Sequence, residues 1–149
     1  MTRIKTNKTI AIFDYISKKI PDLYPETTAK ILYCLDKKAI TERNIPVTHA
    51  NFIVKENTLS FLEYEKLLST YFKKQKAGFK GNIKDFLSEN EETFLEETLK
   101  EYENFQVNLK DGLITFKDFL SDLNLTEKEL YDRYEDHLDN DFYKEETTE

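Results

Sequence analysis

An internal disulfide is closed to this chain, because Cys34 is its only cysteine. An unpaired thiol suits a reducing cytoplasm, and that is where the protein is expected to work. The three glycines leave little material for cradling a phosphate. Neither a glycine-rich phosphate loop nor a nucleophile elbow occurs. No apolar run reaches the roughly 20 residues that cross a bilayer, and the N-terminus has no hydrophobic export segment, so no membrane contact is expected. A cationic surplus is missing as well. The formal charge is -7, which argues against direct binding of nucleic acid, since that requires releasing counterions with a basic face. Lysines do gather at Lys73, Lys74, Lys76, Lys80 and Lys84. They read as a phosphate site or, more plainly, as a solvated connection.

What the chain does have is aromatic residues and charge. Eleven phenylalanines and nine tyrosines stand in for the missing tryptophan, and charged residues make up 34% of the chain. Length and composition fit a single domain with a real core and a charged skin. Ile10, Phe13, Ile16 and Ile20 recur at helical spacing and predict a helix over 8–19. Pro21 helps end it. Pro25 suits the first turn of a second helix, which carries Ile31, Leu32, Leu35 and Ile40 and is stopped by Asn44 and Pro46. Residues 46–54 favour an extended ribbon, followed by a turn at Glu56-Asn57-Thr58.

Ser60 and Glu63 have capping-box spacing. The helix behind them is expected to bury Leu62, Leu67, Leu68, Tyr71 and Phe72. Residues 73–82 read as a loop, with Phe79 and Ile83 anchoring it or pairing as a short strand. Ser88 and Glu91 form another capping box, before a helix to about Phe105 that turns Phe94, Leu95, Leu99, Tyr102 and Phe105 inward. Asp111-Gly112 is a turn signal. Thr115/Asp118 and Thr126/Glu129 predict two further short helices. The expected fold is mainly α: a compact helical domain of five to seven helices, with a small β element in its first half. Its expected division is a helical domain over 1–130 and an acidic helix and tail over 131–149, with frayed residues from 144 onward.

Chemistry-bearing motifs are sparse. Residues 55–64 and 110–119 imitate the second half of a calcium loop, with Leu59 or Ile114 at the apolar position and Glu63 or Asp118 closing it. The first half fails, because Phe52, Val54, Val107 and Leu109 stand where oxygen donors belong. His49 and His137 are the two histidines, and they lack metal-ligand spacing. Cys34 sits within an apolar helical run, where a thiol usually packs and does not react. No metal, cofactor or enzymatic activity is expected. A hydrolase or another enzyme with acids around His49 is the competing reading.

The run Lys30-Ile31-Leu32-Tyr33-Cys34-Leu35-Asp36 resembles the Lys-Leu-Leu-Tyr-x-x-Asp core of the Panacea domain, the family of SocA-like antitoxins. In that family such a helix precedes an x-Pro-Ile-Thr segment, a strand and another helix. Here Pro46-Val47-Thr48 follows sixteen residues after Lys30, and Phe52-Ile53-Val54 is similar to the family's aromatic-led strand. Leu67-Leu68, the helix from Leu87-Ser88-Glu89 through Tyr102, and Leu120-Ser121-Asp122-Leu123 extend the likeness over residues 9–123. The family's Gly-Pro turn is replaced by Asn57-Thr58, and its glycine before the proline by Arg43-Asn44-Ile45. Asn tolerates a left-handed turn, so the fold survives these changes.

The resemblance implies a bacterial or phage protein that binds a cognate toxin protein and neutralises it. One family member acts as an adaptor that hands its toxin to a cytosolic protease. Tyr33 and Asp36 lie one helical turn apart, and Asp36 either holds the Pro46 segment or meets a partner. Thr48 and His49 follow that proline. From Asp132 onward acids outnumber bases eight to two, with Tyr131, Tyr134, Phe142 and Tyr143 among them. This stretch reads as a solvated helix face, or as a negative surface meeting a basic partner or imitating nucleic acid. The alternative function is therefore a phage or mobile-element inhibitor that binds a host defence or nucleic-acid-binding protein through this face. The expected partner-binding residues are Tyr33, Asp36, Thr48, His49, Tyr131, Tyr134, Asp136 and Asp139.

Overall fold

The computed structural model describes residues 3–142, with side chains through residue 140. Phe142 and Tyr143, as expected contact aromatics, and the tail from 144 onward lie outside the described side chains. Six α-helices and three short strands make up the regular structure of the described residues, with 3₁₀ turns at Ile83–Asp85 and Tyr102–Asn104. The helices are α1 (Thr6–Lys19), α2 (Pro25–Arg43), α3 (Tyr64–Lys76), α4 (Glu89–Glu101), α5 (Phe116–Leu120) and α6 (Glu127–Phe142). The strands are β1 (Phe52–Lys55), β2 (Thr58–Phe61) and β3 (Gly112–Leu113). The protein is mainly helical with a small antiparallel sheet.

The second helix is the axis of the fold. Pro25 occupies its first turn and Asn44 closes it in the left-handed region at φ 64°, a conformation Asn adopts more readily than most residues other than glycine. Between these ends, Ile31, Leu32, Leu35 and Ile40 are buried as expected, and so are Thr28, Ala29, Tyr33, Asp36 and Ala39. A helix buried on nearly every side needs neighbours all round, and α4, α5 and β2 supply them.

The sheet order is β2-β1-β3. Lys55 pairs with Thr58 across a two-residue turn, and its central residues Glu56 and Asn57 both have positive φ. Such a turn matches the right-handed twist of the strands it joins. The third strand was not expected from the sequence. Gly112, at φ 119°, opens a two-residue strand that pairs Leu113 with Ile53. This tethers the start of α5 beside the proline segment.

Several local expectations need correction. Ser60 and Glu63 do not cap α3, because Ser60 is held in β2 opposite Ile53 and Glu63 reaches back to Asn51. Leu62 and Phe72 are not buried; they are 49% and 54% exposed. Residues 73–76 continue α3, and Ile83 lies in a 3₁₀ turn and pairs with no strand. Of 46–54, only 52–54 is strand. The helix after Thr126 is long, running past residue 130 without a break. The capping boxes at Ser88/Glu91 and Thr115/Asp118 are present, and Thr126 and Glu129 exchange the same pair of bonds.

Candidate functional site

Two polar crosslinks shape the surface where α2, the 45–51 segment, α5 and α6 meet. The first is Asp36. Its Oδ1 accepts from the Val47 and Thr48 backbone N–H groups at 2.9 and 2.8 Å, and its Oδ2 from the Thr48 hydroxyl at 2.6 Å. Thr48 is fully buried, its carbonyl accepts from Lys5 N–H at 2.7 Å, and its hydroxyl accepts from Ala50 N–H at 3.1 Å. Burial pushes the Asp36 carboxyl up, while the bonds from Thr48 and Val47 and the nearby His49 oppose that rise without cancelling it. Asp36 therefore does what the sequence suggested for the proline segment: it pins it.

The second crosslink gathers at Asn44, the residue that ends α2. Arg133 Nε donates to Asn44 Oδ1 at 2.7 Å, and Asn44 Nδ2 donates to Asp136 at 2.6 Å. Arg133 Nη2 also donates to the carbonyls of Ile40 and Thr41 at 2.9 and 2.6 Å. His137 Nδ1 lies 2.6 Å from the Asn44 carbonyl. A carbonyl only accepts, so the proton sits on Nδ1. Side chains of α6 thus reach the Thr41 and Asn44 carbonyls at the helix C-terminus, and share the Ile40 carbonyl with the Asn44 N–H.

Between these crosslinks lies a cleft of about 350 Å³. His49 and His137, far apart in sequence, both line it, together with Asp36, Asn51, Ile114 and Leu138. The His137 ring stacks on Phe116 at 4.4 Å. His49 holds a positive φ of 59° and is buried. A second depression, of about 900 Å³, opens on the other side of Phe116 and Tyr134, where Leu130, Tyr131, Glu127 and Lys117 complete its lining. Thr115, Phe116 and Tyr134 belong to both, so the two are neighbours.

The expected partner-binding residues fall into three groups. Tyr33 and Thr48 are core residues and offer no surface. Tyr33 is 2% exposed, stacks on Phe119 at 5.1 Å and meets Phe52 edge-on. Asp36 and His49 line the floor of the cleft, buried. The remaining four lie on α6. Tyr131 and Tyr134 are 60% and 40% exposed. Asp136 is committed to Asn44 and to Asn140 Nδ2. Asp139 is exposed. Phe116, Leu130, Asn44, Arg133 and His137 belong to the same surface and were not singled out as partner-binding. The signal for Leu130 and Tyr134 was present, since they recur at helical spacing with Leu138 inside an otherwise acidic run.

The other candidates resolve simply. Burial pushes the half-buried Cys34 thiol up to about 11, away from the reactive thiolate form. Among the described residues no set of three or more metal-ligating side chains is gathered, and no helix is long and apolar enough to cross a membrane. No family model, curated protein or solved structure matches the chain.

Proposed function

We propose that this protein is a binding protein that neutralises a cognate toxin, and that α6 with the depressions beneath it is the surface that does so. The observation that carries this reading is the outer side of α6. Tyr131, Tyr134 and Leu138 are large apolar side chains left open to solvent, and Glu127, Asp132, Glu135 and Asp139 stand within a turn of them along the helix. Arg133 is turned inward onto α2, so it does not offset those acids at the surface. Aromatic anchors inside a charged rim are the composition of a contact surface. The clasp at Asn44 holds this helix in place before a partner arrives, which lowers the ordering cost of binding. The resemblance to SocA-like antitoxins supplies the kind of partner.

Co-expression tests the reading. A small reading frame beside this gene is expected to be toxic alone and harmless together with this chain. Replacing Tyr134 and Leu138 with serine should abolish rescue while circular dichroism shows the helical fold retained. Rescue by the doubly substituted chain, or the absence of any toxic neighbour, defeats it. A shorter toxin half-life in the presence of this chain would add the protease-adaptor step.

The acidity of the same face favours one second reading, an inhibitor that occupies the nucleic-acid site of a host protein. It predicts competition with DNA or RNA for that protein and binding that weakens steeply with salt. A toxin complex that persists in high salt excludes it.

A further inference from the structure

The groove between the start of α5 and α6 has a more specific chemistry than its overall acidity. Its floor is aromatic and aliphatic, from Phe116, Leu130 and Tyr134. Its α6 rim carries Tyr131 with Glu127 four residues before it and Glu135 four residues after. Residues at that spacing stand one above another on a helix, so a flat ring is bracketed by two carboxylates. Glu135 lies close enough to push the Tyr131 hydroxyl above its ordinary value, which places that carboxylate near the tip of the ring. The opposite rim carries Lys117.

We propose that this groove takes an arginine-bearing segment of the protein partner, with a guanidinium lying over Tyr131 between Glu127 and Glu135. A planar guanidinium both stacks on an aromatic face and forks onto carboxylates. A lysine ammonium is a compact, strongly hydrated charge and does neither as well. The apolar floor then receives an aliphatic or aromatic neighbour of that arginine, and a volume of about 900 Å³ has room for several side chains. Lys117 opposes an incoming cation and biases the arginine toward the α6 rim. This proposal rests on the reading of α6 as a partner surface and names what that surface recognises.

Two synthetic peptides that share one leucine anchor and differ only in arginine or lysine, titrated into the intact protein by calorimetry, test it. The arginine peptide is expected to bind about tenfold tighter. Tyr131→Ala should erase that preference, Tyr131→Phe should keep it, and Lys117→Glu should strengthen binding. Tyr131 is exposed, so these changes leave the fold intact, as circular dichroism should verify. Equal binding of both peptides, or a preference that survives Tyr131→Ala, overturns the proposal. Self-association of the protein that Tyr131→Ala abolishes also overturns it, by giving the groove to a second copy of the chain. Toxin rescue without arginine selectivity removes this proposal alone. Arginine selectivity without rescue removes the antitoxin reading and leaves the groove.

Discussion

Arg133 donates through Nε to the Asn44 side chain at 2.7 Å and through Nη2 to two backbone carbonyls of α2. The sixth helix is thereby fastened to the end of the second. Removing the guanidinium leaves partly buried acceptors without their donor, which costs about 1–3 kcal/mol. Arg133→Ala should lower the melting temperature and speed amide exchange along α6, with α2 amides near Leu32 still protected. Arg133→Lys should recover little, because one ammonium cannot serve three acceptors from a planar fork. Unchanged exchange in α6 would show that packing, and not the clasp, holds the helix.

Asp36 is the reason the proline segment lies where it does. Asp36→Ala strands the Val47 and Thr48 amides in a buried site, each at about 1–3 kcal/mol, and should destabilise the protein severely. Asp36→Asn keeps one oxygen for those two amides and should be clearly milder. Urea unfolding of both variants measures the difference. Equal losses would mean that the charge, and not the acceptor geometry, secures the segment.

Glu91 ties three helices together. It accepts from Lys8 Nζ at 2.8 Å, Arg43 Nη2 at 2.9 Å and Ser88 N–H at 2.9 Å. Burial pushes its carboxyl up, but Lys8, the Ser88 amide and Arg43 together outweigh that and hold it below the usual carboxylate range. A depressed folded-state value means the contribution is complete above about 4.5, the ordinary value, and is lost as pH falls through the depressed one. Stability should therefore drop in acid. Glu91→Gln should be less stable at neutral pH and show a shallower acid slope. Parallel slopes for the two proteins would assign acid sensitivity elsewhere.

Cys34 offers a test of burial. With its thiol raised to about 11, alkylation of the folded protein should be slow at neutral pH and accelerate as pH approaches that value. The urea-unfolded chain should react at the rate of an ordinary thiol. Equal rates in both states would contradict the packing described around α2.

Much of the fold was legible because its signals are local. Pro25, Asn44 and the boxes at Ser88/Glu91, Thr115/Asp118 and Thr126/Glu129 each act within one helical turn, and each is where sequence chemistry places it. The Ser60/Glu63 box failed because strand pairing with Ile53, a contact between segments, claims Ser60. Gly112–Leu113 is too short a strand to leave a pattern in the sequence, and only pairing with β1 defines it. Phe72 obeys helical spacing yet faces solvent, since spacing gives a face but not what covers it. The site suffered most from distance. His49 and His137 share a cleft that no sequence motif joins, and Tyr33, prominent in the helical motif, serves only the core.

The clasp also has a consequence for how the protein is made. Arg133 emerges 93 residues after Ile40, an interval of roughly 5–20 seconds at ordinary translation speeds. For that time the Thr41 carbonyl and the Asn44 side chain, at the end of α2, wait for the donor that α6 brings. Ribosome pausing before α6 would prolong this unsealed state, and with it the exposure of the nascent chain to chaperones and proteases.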